Sequence, residues 1–156
     1  MSVNDKDIPG VIAPPPLIYL GFLLGGFVID YFLPRALLPN GLQYALGALL
    51  IAAGVIVFAL TIREFRRAGT ALAPYKPSTA FVTSGPFRFS RNPLYLATGF
   101  LYTGIAIAAD SVWVLALLVP ALVILHYGVI LREERYLEGK FGEDYQQYLA
   151  SVRRWL

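Results

Sequence analysis

Glu133 and Glu134 stand side by side between Arg132 and Arg135, and this run holds the residues best suited to chemistry. Charges at a helix end are commonly solvated or paired. Adjacent carboxylates at a membrane surface that attracts cations are a less routine choice. His126, the single histidine, lies seven residues earlier. Seven α-helical steps turn about 700° and rise about 10.5 Å, so an unbroken helix puts His126 and Glu133 on one face. A polar stripe then runs from membrane depth, where ionisable groups are functional candidates, to the surface. His126 and Glu133 are therefore the candidate catalytic pair, although His126 serves equally well as a hydrogen-bonding partner for a neighbouring helix.

A second candidate is Gly85-Pro86-Phe87-Arg88-Phe89-Ser90-Arg91-Asn92-Pro93-Leu94-Tyr95. Asn92 and Pro93 form an N-cap and first-turn pair. A helix start offers free N–H donors and a positive dipole end to an anionic group. A third is the tail, Phe141 to Leu156. There Phe141, Tyr145, Tyr148, Leu149 and Val152 recur at helical spacing, with Glu143, Asp144, Gln146 and Gln147 on other faces. This spacing predicts an interfacial helix, or one folded back as a lid, whose Tyr and Gln side chains suit a polar cofactor.

Composition names the solvent in which these residues work. Of the 156 residues 57% are hydrophobic and 15% charged, and mean hydropathy is +0.60. With no cysteine and one histidine, disulfides, thiolate chemistry and Cys- or His-rich metal sites are excluded. No glycine-rich nucleotide motif appears, and no strand–helix alternation exists to carry one. The net charge of +3 sits at the ends of apolar runs, which argues against a nucleic-acid partner.

Four apolar runs stand out. Residues 42–62 and 111–131 give 21 each without a charge, enough to cross a hydrocarbon core; 17–33 and 93–109 give 17 each, the lower limit. The fold class expected is all-α, an integral membrane bundle of four transmembrane helices in a single domain, 1–156. It carries a folded cytoplasmic loop at 63–92 and a cytoplasmic helical tail at 132–156. Of 13 Lys and Arg, 12 fall on one side, Arg35 being the exception, which puts both termini in the cytoplasm. Asp5, Lys6 and Asp7 replace a basic leader, so no cleavable signal peptide is expected. Gly21 and Gly25 are spaced for close helix contact. Pro120 should kink or loosen the fourth span. Little more than Asp110 joins the third span to the fourth.

Taken in order, Gly85-Pro86-Phe87-Arg88, Arg91-Asn92-Pro93-Leu94-Tyr95, Arg132-Glu133-Glu134-Arg135-Tyr136-Leu137, Phe141-Gly142-Glu143-Asp144-Tyr145-x-x-Tyr148 and Val152-x-Arg154-Trp155 resemble the isoprenylcysteine carboxyl methyltransferases. That family belongs with the phosphatidylethanolamine N-methyltransferases. The resemblance covers residues 63–156. It implies a membrane enzyme that takes S-adenosylmethionine from the cytoplasm and methylates a lipophilic or lipid-modified acceptor, most like a prenylated cysteine carboxylate. An amine phospholipid or a small thiol is the alternative. By analogy Gly85, Arg91, Asn92, Pro93, Tyr95, Glu133, Glu134, Tyr145 and Tyr148 bind the cofactor, with Glu134 toward its amino group. Two positions depart from the family's pattern. Asn92 stands where histidine is common. Val129 stands where an arginine that could hold a substrate carboxylate is frequent, which bears on the acceptor more than on the cofactor. Two other classes stay open: a transporter or scaffold using His126 and Glu133 as a relay, with Asp30 as a further candidate, and a sterol-type reductase, whose family carries more spans.

Overall fold

The computed structural model describes residues 7–38, 41–72 and 76–156. Asp5 and Lys6, which bear on leader and sidedness, and Pro74 and Tyr75 of the loop lie outside the described residues. Among those described every regular element is helical. In order they are α1 (Pro15–Phe32), α2 (Leu42–Ala68), a single 3₁₀ turn (Gly85–Arg88), α3 (Pro93–Ala108), α4 (Val112–Leu125), a π turn (His126–Ile130) and α5 (Leu131–Ser151). Three helices are long and apolar enough to cross a membrane: Pro15–Phe32, Leu42–Ala68, and the continuous Val112–Ser151. Pro93–Ala108 is apolar but shorter. These helices make the chain an integral membrane protein.

Local sequence explains the helix ends. α2 continues six residues past its apolar run and stops at Gly69, which takes φ 63° and turns its N–H back to Arg66 and Phe65. Glycine adopts this left-handed conformation at little cost, and Arg66 and Arg67 in the last turn oppose the helix dipole. Ala109 to Ser111 form the tight link between α3 and α4, with Asp110 at φ 54°. Ser111 caps α4 by accepting the Val114 N–H at 3.3 Å. α4 runs through Pro120, and its departure from α geometry comes at the π turn, six residues later.

The helices pair as α1 with α4 and α2 with α3. Small residues set both contacts. A Cβ on Gly47 would lie 2.8 Å from the Gly104 carbonyl oxygen, and one on Gly54 would lie 2.9 Å from that of Ala97. Backbones approach this closely only where side chains are absent. On α1 the close contact falls at Gly26, where a Cβ would meet the Val114 Cα at 2.6 Å. Gly21 faces open space and Gly25 merely touches Leu117, so the pair picked out by spacing is not the packing pair. The outward faces carry Leu24, Val28, Leu49, Val55, Val119 and Val123, all exposed, as lipid-facing surfaces require.

The end that carries Asp110 is closed by polar side chains acting as structure. The Ser111 hydroxyl donates to Asp30 at 2.7 Å, and Asp110 accepts the N–H groups of Leu37 and Leu38 at 2.8 Å each. Asp30 is thus a helix tether.

The α2–α3 contact makes a direct prediction. Gly104→Ala should cost about 1–3 kcal/mol, because backbone lies against the new methyl. Gly21→Ala should stay within about 0.5 kcal/mol. Thermal unfolding in detergent compares the two.

Candidate functional site

The site lies at the opposite end of the bundle, where α3 begins and α4 passes into α5. The loop after α2 is folded against it. The Thr79 hydroxyl donates to the Gly69 carbonyl at 3.2 Å, and the Ser78 N–H donates to the Tyr136 hydroxyl at 3.1 Å. Glu64, buried near the end of α2, accepts the Ser84 hydroxyl at 2.6 Å and pairs with Arg63 and Arg67 at 3.4 and 3.2 Å. Gly85 lies over Glu64 at φ 58°, where a Cβ would meet the Glu64 Cγ at 2.8 Å. Gly85 therefore turns the loop, and it is not among the residues that line the cleft below it. Glu64 escaped sequence reasoning, although a carboxylate at the end of an apolar helix was the available signal.

The tail folds back over this loop. α5 breaks at Gly142 (φ 55°, ψ −129°), so 143–151 takes a new direction. Tyr145 and Tyr148 are buried against Phe81, with ring centroids 5.5 and 6.1 Å away. The Tyr148 hydroxyl donates to the Phe87 carbonyl at 2.7 Å, and the Arg91 N–H to the Arg153 carbonyl at 3.0 Å. Asn92 stands at the N-cap position of α3, yet its side chain makes no cap bond. Its Nδ2 donates instead to the Arg154 carbonyl at 3.0 Å, so the capping role is corrected to a tail tether.

Between loop, tail and helices lies a cleft of about 810 Å³, counting its open mouth. Arg91, Asn92, Pro93, Tyr95, Glu133, Glu134, Tyr145 and Tyr148 all line it. His126 does not. The π turn adds one residue to the helical repeat and rotates the downstream helix by about 100°, so His126 and Glu133 no longer share a face. The His126 ring instead packs edge-on against the exposed Tyr127, 4.8 Å between centroids. The catalytic pairing of His126 with Glu133, and the relay built on it, are overturned by this geometry. Val129 is fully buried in the core and faces no cleft.

The two glutamates part company. Glu134 accepts Arg154 Nη2 at 2.7 Å and Nε at 3.0 Å, and pairs with Arg91 at 3.2 Å. It is a structural clamp between tail and loop, not an open carboxylate awaiting an amino group. Glu133 has no cation among the described residues within ion-pair reach. Its Oε1 accepts the Tyr95 hydroxyl at 2.7 Å. The Tyr95 carbonyl in turn accepts the Tyr19 hydroxyl from α1 at 2.9 Å. Glu133 lies two residues beyond the apolar run 111–131. Burial pushes its carboxyl up to about 7; the Tyr95 hydrogen bond opposes the rise and the Glu134 charge adds to it. Burial also raises the Tyr145 and Tyr148 hydroxyls, so both stay neutral.

Tyr95 also borders a second cavity. It is a shallow, open apolar groove between α3 and α4, walled by Leu96, Phe100, Leu118, Leu122 and Trp155. The cleft that holds Glu133 and this apolar groove thus meet at Tyr95.

Among known proteins, 68 residues are 32% identical to the cobalt-zinc-cadmium resistance protein CzcN of Cupriavidus metallidurans, covering 44% of this chain and 32% of that protein. Another 27-residue match, 63% identical, is to an uncharacterized protein of Haemophilus influenzae, covering 17% of this chain and 43% of that one. The chain spans less than half the length of the curated relatives it matches. No solved structure matches it. A family model described as phospholipid methyltransferase matches residues 42–144, which include α2, α3, α4 and both glutamates, and the chain belongs to that family of membrane methyltransferases.

Proposed function

We propose that this protein transfers a methyl group from S-adenosylmethionine to a lipophilic acceptor bearing an amine. The observation that carries the reading is the Tyr95–Glu133 hydrogen bond in the cleft, with Tyr95 also bordering the groove. The chemistry of the cleft fits the cofactor. Arg91 Nε is buried without a partner, a donor free for a carboxylate. Phe81, Tyr145 and Tyr148 form an aromatic wall for a flat base. Asn92 and Pro93 place the start of α3 at the same wall. When bound, the cofactor supplies an electrophilic methyl group on a sulfonium.

The rest of the mechanism belongs to the chain. The groove between α3 and α4 admits an apolar tail and leaves the headgroup at Tyr95. Glu133, as its carboxylate, takes one proton from the acceptor's ammonium and so exposes the nitrogen lone pair. Tyr95 holds that carboxylate in place through its hydroxyl. The aromatic wall and tail exclude water. Holding acceptor and donor together supplies several kcal/mol of the barrier, with a ceiling of about 7–11.

Charge favours an amine over the prenylcysteine carboxylate suggested by the ordered motifs. Arg91 is the only cation among the described residues lining the cleft; its Nη1 is paired with Glu134 and its buried Nε is left for the cofactor's carboxylate. Glu133 would repel an anionic acceptor and attract a cationic one.

The four-span reading and sidedness belong to the same proposal. α3 makes the fourth crossing, and the 12 cations on one side put cleft and termini in the cytoplasm. Calorimetric titration with S-adenosylhomocysteine, with NADPH as control, tests the cofactor. Saturable binding of the former alone is the expected result; binding of neither by folded protein overturns the reading. Methyl transfer in nanodiscs containing phosphatidylethanolamine, set against a prenylcysteine analogue, then tests the acceptor.

A further inference from the structure

The segment before α1 lies outside the matched residues 42–144, yet it runs along the glutamate-bearing helix. Its contacts climb one face of that helix in steps of four. The Ile12 N–H donates to the Gly128 carbonyl at 3.1 Å, and Arg132 Nη1 donates to the Gly10 carbonyl at 2.8 Å. The Tyr136 hydroxyl donates to Asp7 at 3.1 Å, and Lys140 pairs with the same carboxylate. Residues 128, 132, 136 and 140 thus form a stripe, and the segment crosses it in the opposite chain direction. Val11 and Ala13 pack on the core, and Pro9 reaches the edge of the cleft.

The first rung falls inside the π turn. Gly128 is buried, and the Ile12 side chain occupies the space where a Cβ would stand; that Cβ would be 2.2 Å from Ile12 Cδ1. A methyl there would have to displace the Ile12 side chain, which is 54% exposed on its outer side. The turn matters because it sets the angular phase of everything after it. With the π turn in place, Glu133 meets Tyr95 and Glu134 meets Arg91 and Arg154. A plain α turn would swing both carboxylates by about 100°.

We infer that Ile12 and Gly128 are positioning residues for the site: the strap at residues 7–13 seats on Gly128 and holds the π turn that aims Glu133 and Glu134 in their separate directions. A π turn is less favourable than α-helix by itself, so it persists only where tertiary contacts hold it. The strap supplies a hydrogen bond and a side chain at that place. This inference rests on the proposed role of Glu133, but its structural half stands apart from any ligand.

The test is a double-mutant cycle on the full chain in nanodiscs. Gly128→Ala drives a methyl into Ile12; Ile12→Ala empties that space; the double variant carries both. Amide hydrogen exchange at Arg91, whose N–H is bonded to the tail, reports whether the glutamate clamp forms without using any ligand. Gly128→Ala should speed this exchange at least 10-fold, lower S-adenosylhomocysteine affinity by a similar factor and shift the acidic limb of the pH–rate profile. The double variant should recover most of each. A merely structural role would lower the melting temperature but leave Arg91 exchange and the pH limb unchanged, and that result overturns the inference. Failure of the double variant to recover overturns it too, because the Ile12 contact would then not be the cause. If wild type binds no S-adenosylhomocysteine, the proposed function fails while the exchange readout still decides whether the strap sets the register.

Discussion

Replacing Glu133 by glutamine should lower methyl transfer about 10²–10⁴-fold and leave S-adenosylhomocysteine affinity within a few-fold. Glutamine keeps the shape and still accepts the Tyr95 hydroxyl, so the loss measures the proton acceptor itself. In the wild type, kcat/KM for an amine acceptor should rise with pH through about 7 and level off above, because the ionised form is the base. That limb should vanish in Glu133→Gln. A stability signature accompanies it. The folded chain binds this proton more tightly than the unfolded chain, whose glutamate titrates near 4.3. The stabilising contribution is complete below about 4.3 and is lost as pH rises through about 7. Glu133→Gln should flatten that slope. Unchanged turnover in the variant would remove Glu133 from the chemistry.

The second large effect concerns Glu134. Glu134→Ala leaves Arg91 and Arg154 facing each other without their shared carboxylate. Removing one partner of a fully buried pair costs about 3–5 kcal/mol; with Arg154 32% exposed, a loss of about 2–3 kcal/mol is expected. The stretch 152–155 should come away from the loop and become a protease target, with cofactor affinity lost alongside. Thermal unfolding and limited proteolysis read the two effects separately. A variant with wild-type melting and an intact tail would show that the clamp contributes nothing.

Charge and hydropathy made the helices legible, because residues 42–62 and 111–131 carry no charge and leave the chain no solvent but lipid. The cleft was legible through Arg91 to Tyr95 and through the tail tyrosines, since their order along the chain matched a known pattern. Phase was not legible. The angle between His126 and Glu133 depends on a π turn held by Ile12, a residue far away in sequence, and no helical wheel contains it. For the same reason spacing selected Gly21 and Gly25, while the contact surface of α1 is centred on Gly26. Nor could adjacency show that Glu134 is held by two arginines, Arg91 before α3 and Arg154 in the tail, while Glu133 faces none.

The pairing of α1 with α4 around α2 with α3 has a consequence for biogenesis. Chain order nests one helix pair inside the other, so the inner hairpin has its partner as soon as α3 emerges. α1 has to wait. The partner of Asp30, Ser111, is 81 residues downstream. At synthesis rates of about 5–20 residues per second, that carboxylate spends on the order of 4–16 s in the insertion machinery or bilayer before its hydroxyl arrives. α1 thus docks fully only once α4 has been made, and during that interval it is open to quality-control proteases.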